Sequence, residues 1–111
     1  MRRVVLGVAL LLAATSAGRA ESMWVNGQEF AQGHCEKKQL AANRYVVGLM
    51  DGYATGSQIS KSRGYCTPPS VSAGQATAVA CKYARENPTE WHVPAAYLVI
   101  KALQDAWPCN D

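Results

Sequence analysis

The chain has little of what most enzymatic and metal chemistry is built from. It holds only two histidines, His34 and His92, and no CxxC pair occurs among its cysteines Cys35, Cys66, Cys81 and Cys109. The two histidines do not stand four residues apart on a helix, and the Cys and His spacings match no common zinc pattern. His34 adjoins Cys35 in sequence, but neighbouring residues point to different faces of a helix, which argues against a Cys–His nucleophile. Carboxylates do not pair at helical spacing either, because Glu86 and Glu90 flank Pro88, and a proline does not sit in a helix interior. There is no phosphate-cradling glycine loop followed by Lys and Ser or Thr. No catalytic residue, cofactor site or metal site is therefore expected. Nor is there an apolar run long enough for a membrane span, which needs roughly 20 residues. The longest run is Val4 to Ala14.

That run has its own meaning. Met1-Arg2-Arg3 is a short basic start, Val4 to Ala14 is uncharged and apolar, and Thr15 to Ala20 is small and polar. The three parts in this order predict a secretory signal peptide over residues 1–20, cleaved after Ala20, with a single domain over 21–111. No Cys lies near the cleavage point to accept a lipid. Charge follows the same division. Eleven Lys and Arg face eight Asp and Glu, and three of the bases (Arg2, Arg3, Arg19) belong to the first twenty residues, which hold no acid. The remainder is balanced, eight against eight, so nothing in it marks a nucleic-acid or anionic-membrane binder. In an oxidising compartment an even number of cysteines reads as disulfides, here two, with three possible connectivities. A bridge closing a loop of some forty residues stabilises by about 4 kcal/mol in the chain-entropy model. A domain of roughly 90 residues has use for such staples.

The pattern along residues 21–111 is helical throughout. Asn26 can cap a first helix over Gly27 to Cys35, with Glu29 answering at the third position and Val25 facing Phe30 as a staple. A second helix is predicted over Gln39 to Ser57, where Tyr45, Leu49 and Tyr53 recur every four residues beside Val46. Gly48, Gly52 and Gly56 also repeat every four. Each weakens the helix by roughly 1 kcal/mol against Ala, so their alignment calls for a reason. Close internal packing of another backbone is one, and the seam of a homodimer is the other. Residues 57 to 70 form a polar loop with Pro68-Pro69. Ser72, with Gln75 three residues on, caps a third helix reaching Glu86, its inner face Ala76, Val79, Ala80 and Tyr83. Asn87-Pro88 ends it, and Pro94 opens a fourth helix. The fourth has an apolar stripe of Ala96, Val99, Ile100, Leu103 and Trp107, stopped by Pro108. The expected fold is an all-α, four-helix bundle stapled by two disulfides.

Several of these segments carry a resemblance. In order they are Tyr45-Val46-Val47-Gly48 with Asp51-Gly52, Cys66-Thr67-Pro68, Gln75, Tyr83 and Pro88. Pro94-Ala95-Ala96-Tyr97-Leu98-Val99, Ala102-Leu103 and Trp107-Pro108-Cys109 complete the series. Together they resemble the Rap/Tai-type immunity proteins of type VI secretion, small exported proteins with an HdeA-like helical fold. The resemblance covers nearly all of residues 21–111. It departs at Ala42, where the family often has a Cys three residues before the second-helix Tyr, while this chain has Cys81 on the third helix. The resemblance implies a Cys66–Cys109 bridge like the family's second one, which leaves Cys35 with Cys81.

For function, the resemblance implies a non-enzymatic blocker that binds a peptidoglycan amidase toxin in the periplasm of a Gram-negative bacterium. The expected contact segments are the connectors 58–65 and 87–93, since binding residues concentrate on loops held by a rigid scaffold. Within them the candidate partner-binding residues are Lys61, Arg63, Tyr65, Glu90, Trp91 and His92. The bland reading of the same residues is a solvated loop for Lys61 and Arg63, and packing for Tyr65 and Trp91. The alternative function is an HdeA-like acid-stress chaperone or another periplasmic binding protein. Acid-triggered loosening draws on carboxylates and His, of which this chain has few.

Overall fold

A computed structural model describes residues 24–110. The signal-peptide expectation for residues 1–20 lies outside the described residues. Four helices follow in order: α1 (Glu29–Glu36), α2 (Gln39–Ser60), α3 (Ala73–Glu86) and α4 (Ala95–Ala106), with a 3-10 turn at Pro88–Glu90 before α4. Among the described residues there is no strand. The one sheet-like contact is an isolated antiparallel bridge between Asn26 and Pro94. The all-α, doubly stapled bundle is as expected, and so are both bridges, Cys35–Cys81 and Cys66–Cys109.

The hub is α3, which packs against α1, α2 and α4. Its small residues make this possible. Ala76, Thr77, Ala80, Cys81 and Ala84 are all buried, so three neighbours can approach its axis closely. Ser72 and Gln75 form the reciprocal capping box, Gln75 N donating to Ser72 Oγ (3.1 Å) and Ser72 N to Gln75 Oε1 (3.2 Å). Thr77, the one buried polar residue among those described, donates to Ala73 O (2.8 Å) and accepts from Asn43 Nδ2 of α2 (3.3 Å). Opposite α3, helix α4 buries Ala95, Leu98, Val99, Ala102 and Leu103. The expected stripe is thus rotated. Ala96 and Ile100 are only half-buried, because α4 meets α3 through the face of Leu98, Val99 and Ala102.

Two local departures have physical causes. The first helix keeps its expected cap, Glu29 N donating to Asn26 Oδ1 (2.8 Å), but Glu29–Glu36 is wound as a π-helix. The wider turn brings residues five apart onto one face. That lets Phe30 and Cys35 be buried together while Cys35 reaches Cys81. The second correction concerns Gly48, Gly52 and Gly56. They are exposed, and a Cβ built on any of them would meet nothing within 4 Å. No backbone packs on them, so internal close packing is not their role. Two other glycines carry close contacts. A Cβ on Gly27 would lie 2.5 Å from Leu98 Cδ1 and 2.9 Å from Trp91 Cα, and one on Gly64 would fall on the Tyr53 hydroxyl.

Candidate functional site

The second helix outruns the core. Its first half supplies the buried Ala42 and Val46 and the partly buried Tyr45, Leu49 and Met50. Beyond Met50 only Tyr53 and Ser57 are even half-buried, and Ile59 stands almost fully in solvent. The helix runs to Ser60, three residues past its expected end, and closes on Lys61 in the left-handed conformation (φ 56°). An L-residue with a long side chain seldom adopts that conformation. It reverses the chain so that residues 61–67 fold back along the exposed half of α2.

Three contacts hold this returning loop. Gly64 passes against the Tyr53 hydroxyl, where no side chain fits. Tyr65 stacks on Tyr53, with ring centroids 4.9 Å apart and planes inclined by 22°, a geometry worth about 1 kcal/mol beyond its buried area. Cys66 is bridged to Cys109, and its N–H donates to Trp107 O (2.8 Å). Between helix and loop lies an open groove of about 550 Å³, lined among others by Tyr53, Ser57, Gln58, Lys61, Arg63 and Tyr65. A shallower hollow of about 370 Å³ adjoins it on the Gly52–Gly56 side. Burial, together with Tyr53 and Asp51 nearby, pushes the Tyr65 phenol above its usual pKa, so it stays a hydrogen-bond donor.

Of the six residues singled out in the sequence, Lys61, Arg63 and Tyr65 come together in this groove. The other three lie elsewhere. The connector 87–93 sits at the start of α4 and the loop 61–67 at its end, and twelve helical residues span roughly 18 Å. Glu90 there accepts from Tyr83 Oη (2.8 Å) and from Lys101 Nζ (2.9 Å). The bonds from Lys101 and then Tyr83 hold its carboxyl below the usual carboxylate range, and the Lys101 ammonium is raised in turn by Glu90 and by Tyr83 beside it. Trp91 donates its indole N–H to Ala84 O (2.7 Å), and its carbonyl accepts from Gln28 N (3.1 Å). Both residues thus have internal work, tying the connector to α3, α4 and the first turn. His92 is exposed. Gln58, from the expected segment 58–65, also lines the groove, and so do Tyr53, Ser57 and Thr67, which lie outside that segment. Tyr53 continues the core stripe of α2 at the right spacing, and nothing local shows that the stripe leaves the core after Met50.

Among the described residues no group of three or more His, Cys, Asp or Glu could hold a metal ion, and no helix is long and apolar enough to cross a membrane. The class that emerges is a small, doubly stapled helical bundle offering a preformed groove at one end. The family model of the Rap1a immunity proteins matches residues 18–109, and the chain belongs to that family. No curated protein and no solved structure matches it. The family makes it an immunity protein, one whose partner is a toxin protein.

Proposed function

We propose that this protein is an exported, non-enzymatic immunity protein of a type VI secretion system. It binds a peptidoglycan amidase toxin in the periplasm after removal of residues 1–20, on an HdeA-like scaffold. The observation that carries the reading is the family match over residues 18–109. Two disulfides fit an oxidising compartment. A stapled bundle loses little conformational entropy on binding, which favours a tight blocker.

The loop bearing Lys61, Arg63 and Tyr65 is the first contact segment in this reading, because it lines a groove and projects from the core. The connector bearing Glu90, Trp91 and His92 is the second, with His92 its exposed member. The open face of Gly48, Gly52 and Gly56 is the seam of a homodimer. Gly52→Leu should then shift the protein to monomer in light scattering, and an unchanged mass would remove the seam. The test of the function is direct. The protein mixed with a type VI peptidoglycan amidase from the same genome should form a stoichiometric complex and abolish cleavage of peptidoglycan. Free amidase activity at excess of this protein would end the proposal.

A further inference from the structure

The groove also indicates what kind of segment it accepts. Lys61 and Arg63 both line it, and no carboxylate does. Residues 21–111 balance eight bases against eight acids with these two included, so the positive charge is local to the groove lining. Arg63 also has a contact within the chain, so the exposed Lys61 at the turn is the leading cation. The C-terminal carbonyls of α2 act against an anion here, but their macrodipole amounts to about half a negative charge, less than the unit charge of Lys61, and Asp51, near enough to act on Tyr65, is not among the residues that line the groove. Tyr53 and Tyr65, stacked on one another, also line the groove and add aromatic surface to it. The neutral Tyr65 phenol and the polar side chains of Gln58 and Thr67 add hydrogen-bonding groups along the walls. The groove is open to solvent and, at about 550 Å³, falls within the size range of ligand pockets.

We propose that the groove receives an acidic segment of the toxin. A carboxylate lies at Lys61, and an apolar or aromatic side chain of the same segment rests against the Tyr53–Tyr65 pair. This rests on the immunity reading above. It goes further in naming the chemistry of the recognised segment and in confining that recognition to one end of the molecule.

The test has two arms. In the first, a blocked hexapeptide with two Glu flanking a Trp is titrated into the uniformly 15N-labelled protein, beside a counterpart with Gln at both positions. The acidic peptide should shift the amides of Tyr53 and residues 57–67, and the Gln peptide should shift them several-fold less. Equal shifts from the two peptides, or none from either, would overturn the inference. In the second arm, calorimetry measures toxin affinity for wild type, Lys61→Gln, Lys61→Glu and Tyr65→Ala, at low and moderate salt. Removing one rim charge should weaken binding by up to about fivefold, and reversing it by more, with a shallower salt dependence. Lys61 is exposed, so the Gln variant keeps the fold and can be checked by circular dichroism. Toxin binding that none of these variants disturbs would overturn the groove as the contact while the immunity reading stood. Peptide shifts without any toxin binding would sink the immunity reading and the toxin as the source of the segment.

Discussion

The two ends of this molecule are built differently, although each is closed by one disulfide over a similar length of chain, 46 and 43 residues apart in sequence. At the packed end, Cys35–Cys81 is buried in one core cluster with Phe30, Ala80 and Ala84, where α1, α2 and α3 pack on one another. At the projecting end, Cys66–Cys109 is only half-buried. It ties the returning loop to the segment after α4, beside the outer half of α2, which has almost no core. Equal loop lengths make the chain-entropy contribution of the two bridges nearly equal, about 4 kcal/mol each. What differs is what else fails when a bridge is removed. One bridge is a part of the core, and the other maintains the shape of a groove. A small domain can thus keep a firm scaffold and still present a surface shaped by loop contacts.

The sharpest way to break that comparison is to remove the bridges separately. Cys35→Ala with Cys81→Ala should lower stability to denaturant by about 4 kcal/mol or more, since a cavity adds to the lost constraint. Cys66→Ala with Cys109→Ala should cost no more than the entropic share, while the amides of residues 61–67 lose hydrogen-exchange protection. Equal exchange behaviour at the two ends would erase the distinction. Gly27→Ala comes next. The added methyl meets Leu98 and the Trp91 backbone at the packed end, and overpacking of this kind costs about 1–3 kcal/mol. A melting temperature at the wild-type value would show that the connector gives way. Gly52→Ala is the counterpart at the projecting end. Its methyl meets open space within one copy of the chain, so at concentrations where the protein is monomeric the helix should gain up to about 1 kcal/mol. A destabilised variant would mean that the open face is in use, as in a homodimer.

The smallest effect expected is on acid stability. The carboxyl of Glu90 is held below its ordinary range by the Lys101 and Tyr83 hydrogen bonds. Its folded-state pKa therefore lies below the unfolded one. The contribution is present above the ordinary carboxylate pKa and lost as pH falls through the depressed value. Wild type should lose a little stability below about pH 4, and Glu90→Gln should flatten that dependence. A wholesale opening in the same range, with apolar surface exposed and client proteins protected, would favour the chaperone reading over the immunity one.

Much of this architecture was legible locally. Ser72 and Gln75 cap α3 as their spacing requires, and Asn26 caps the first turn. The cysteine count anticipated two bridges, whose pairing followed from the family resemblance. The site was less legible. Lys61, Arg63 and Tyr65 stand out as charge and aromatic in a loop, but Tyr53 looks like core because its spacing to Tyr45 and Leu49 is that of a buried stripe. The glycines at 48, 52 and 56 look like a packing surface for the same reason. Periodicity reports which residues share a helix face. It does not report how far along the helix a neighbour continues to cover that face.

The sequence by itself determined the class of structure: helices, their starts, their number and the balanced charge of residues 21–111. These depend on residues close together in the chain, through caps, prolines and apolar spacing. Only the tertiary structure decided the π-winding of α1, the rotation of the α4 stripe, the exposure of the glycines and the groove itself. Each of these depends on where α3 and the returning loop end against α2, and so on contacts between residues distant in sequence that no local pattern encodes.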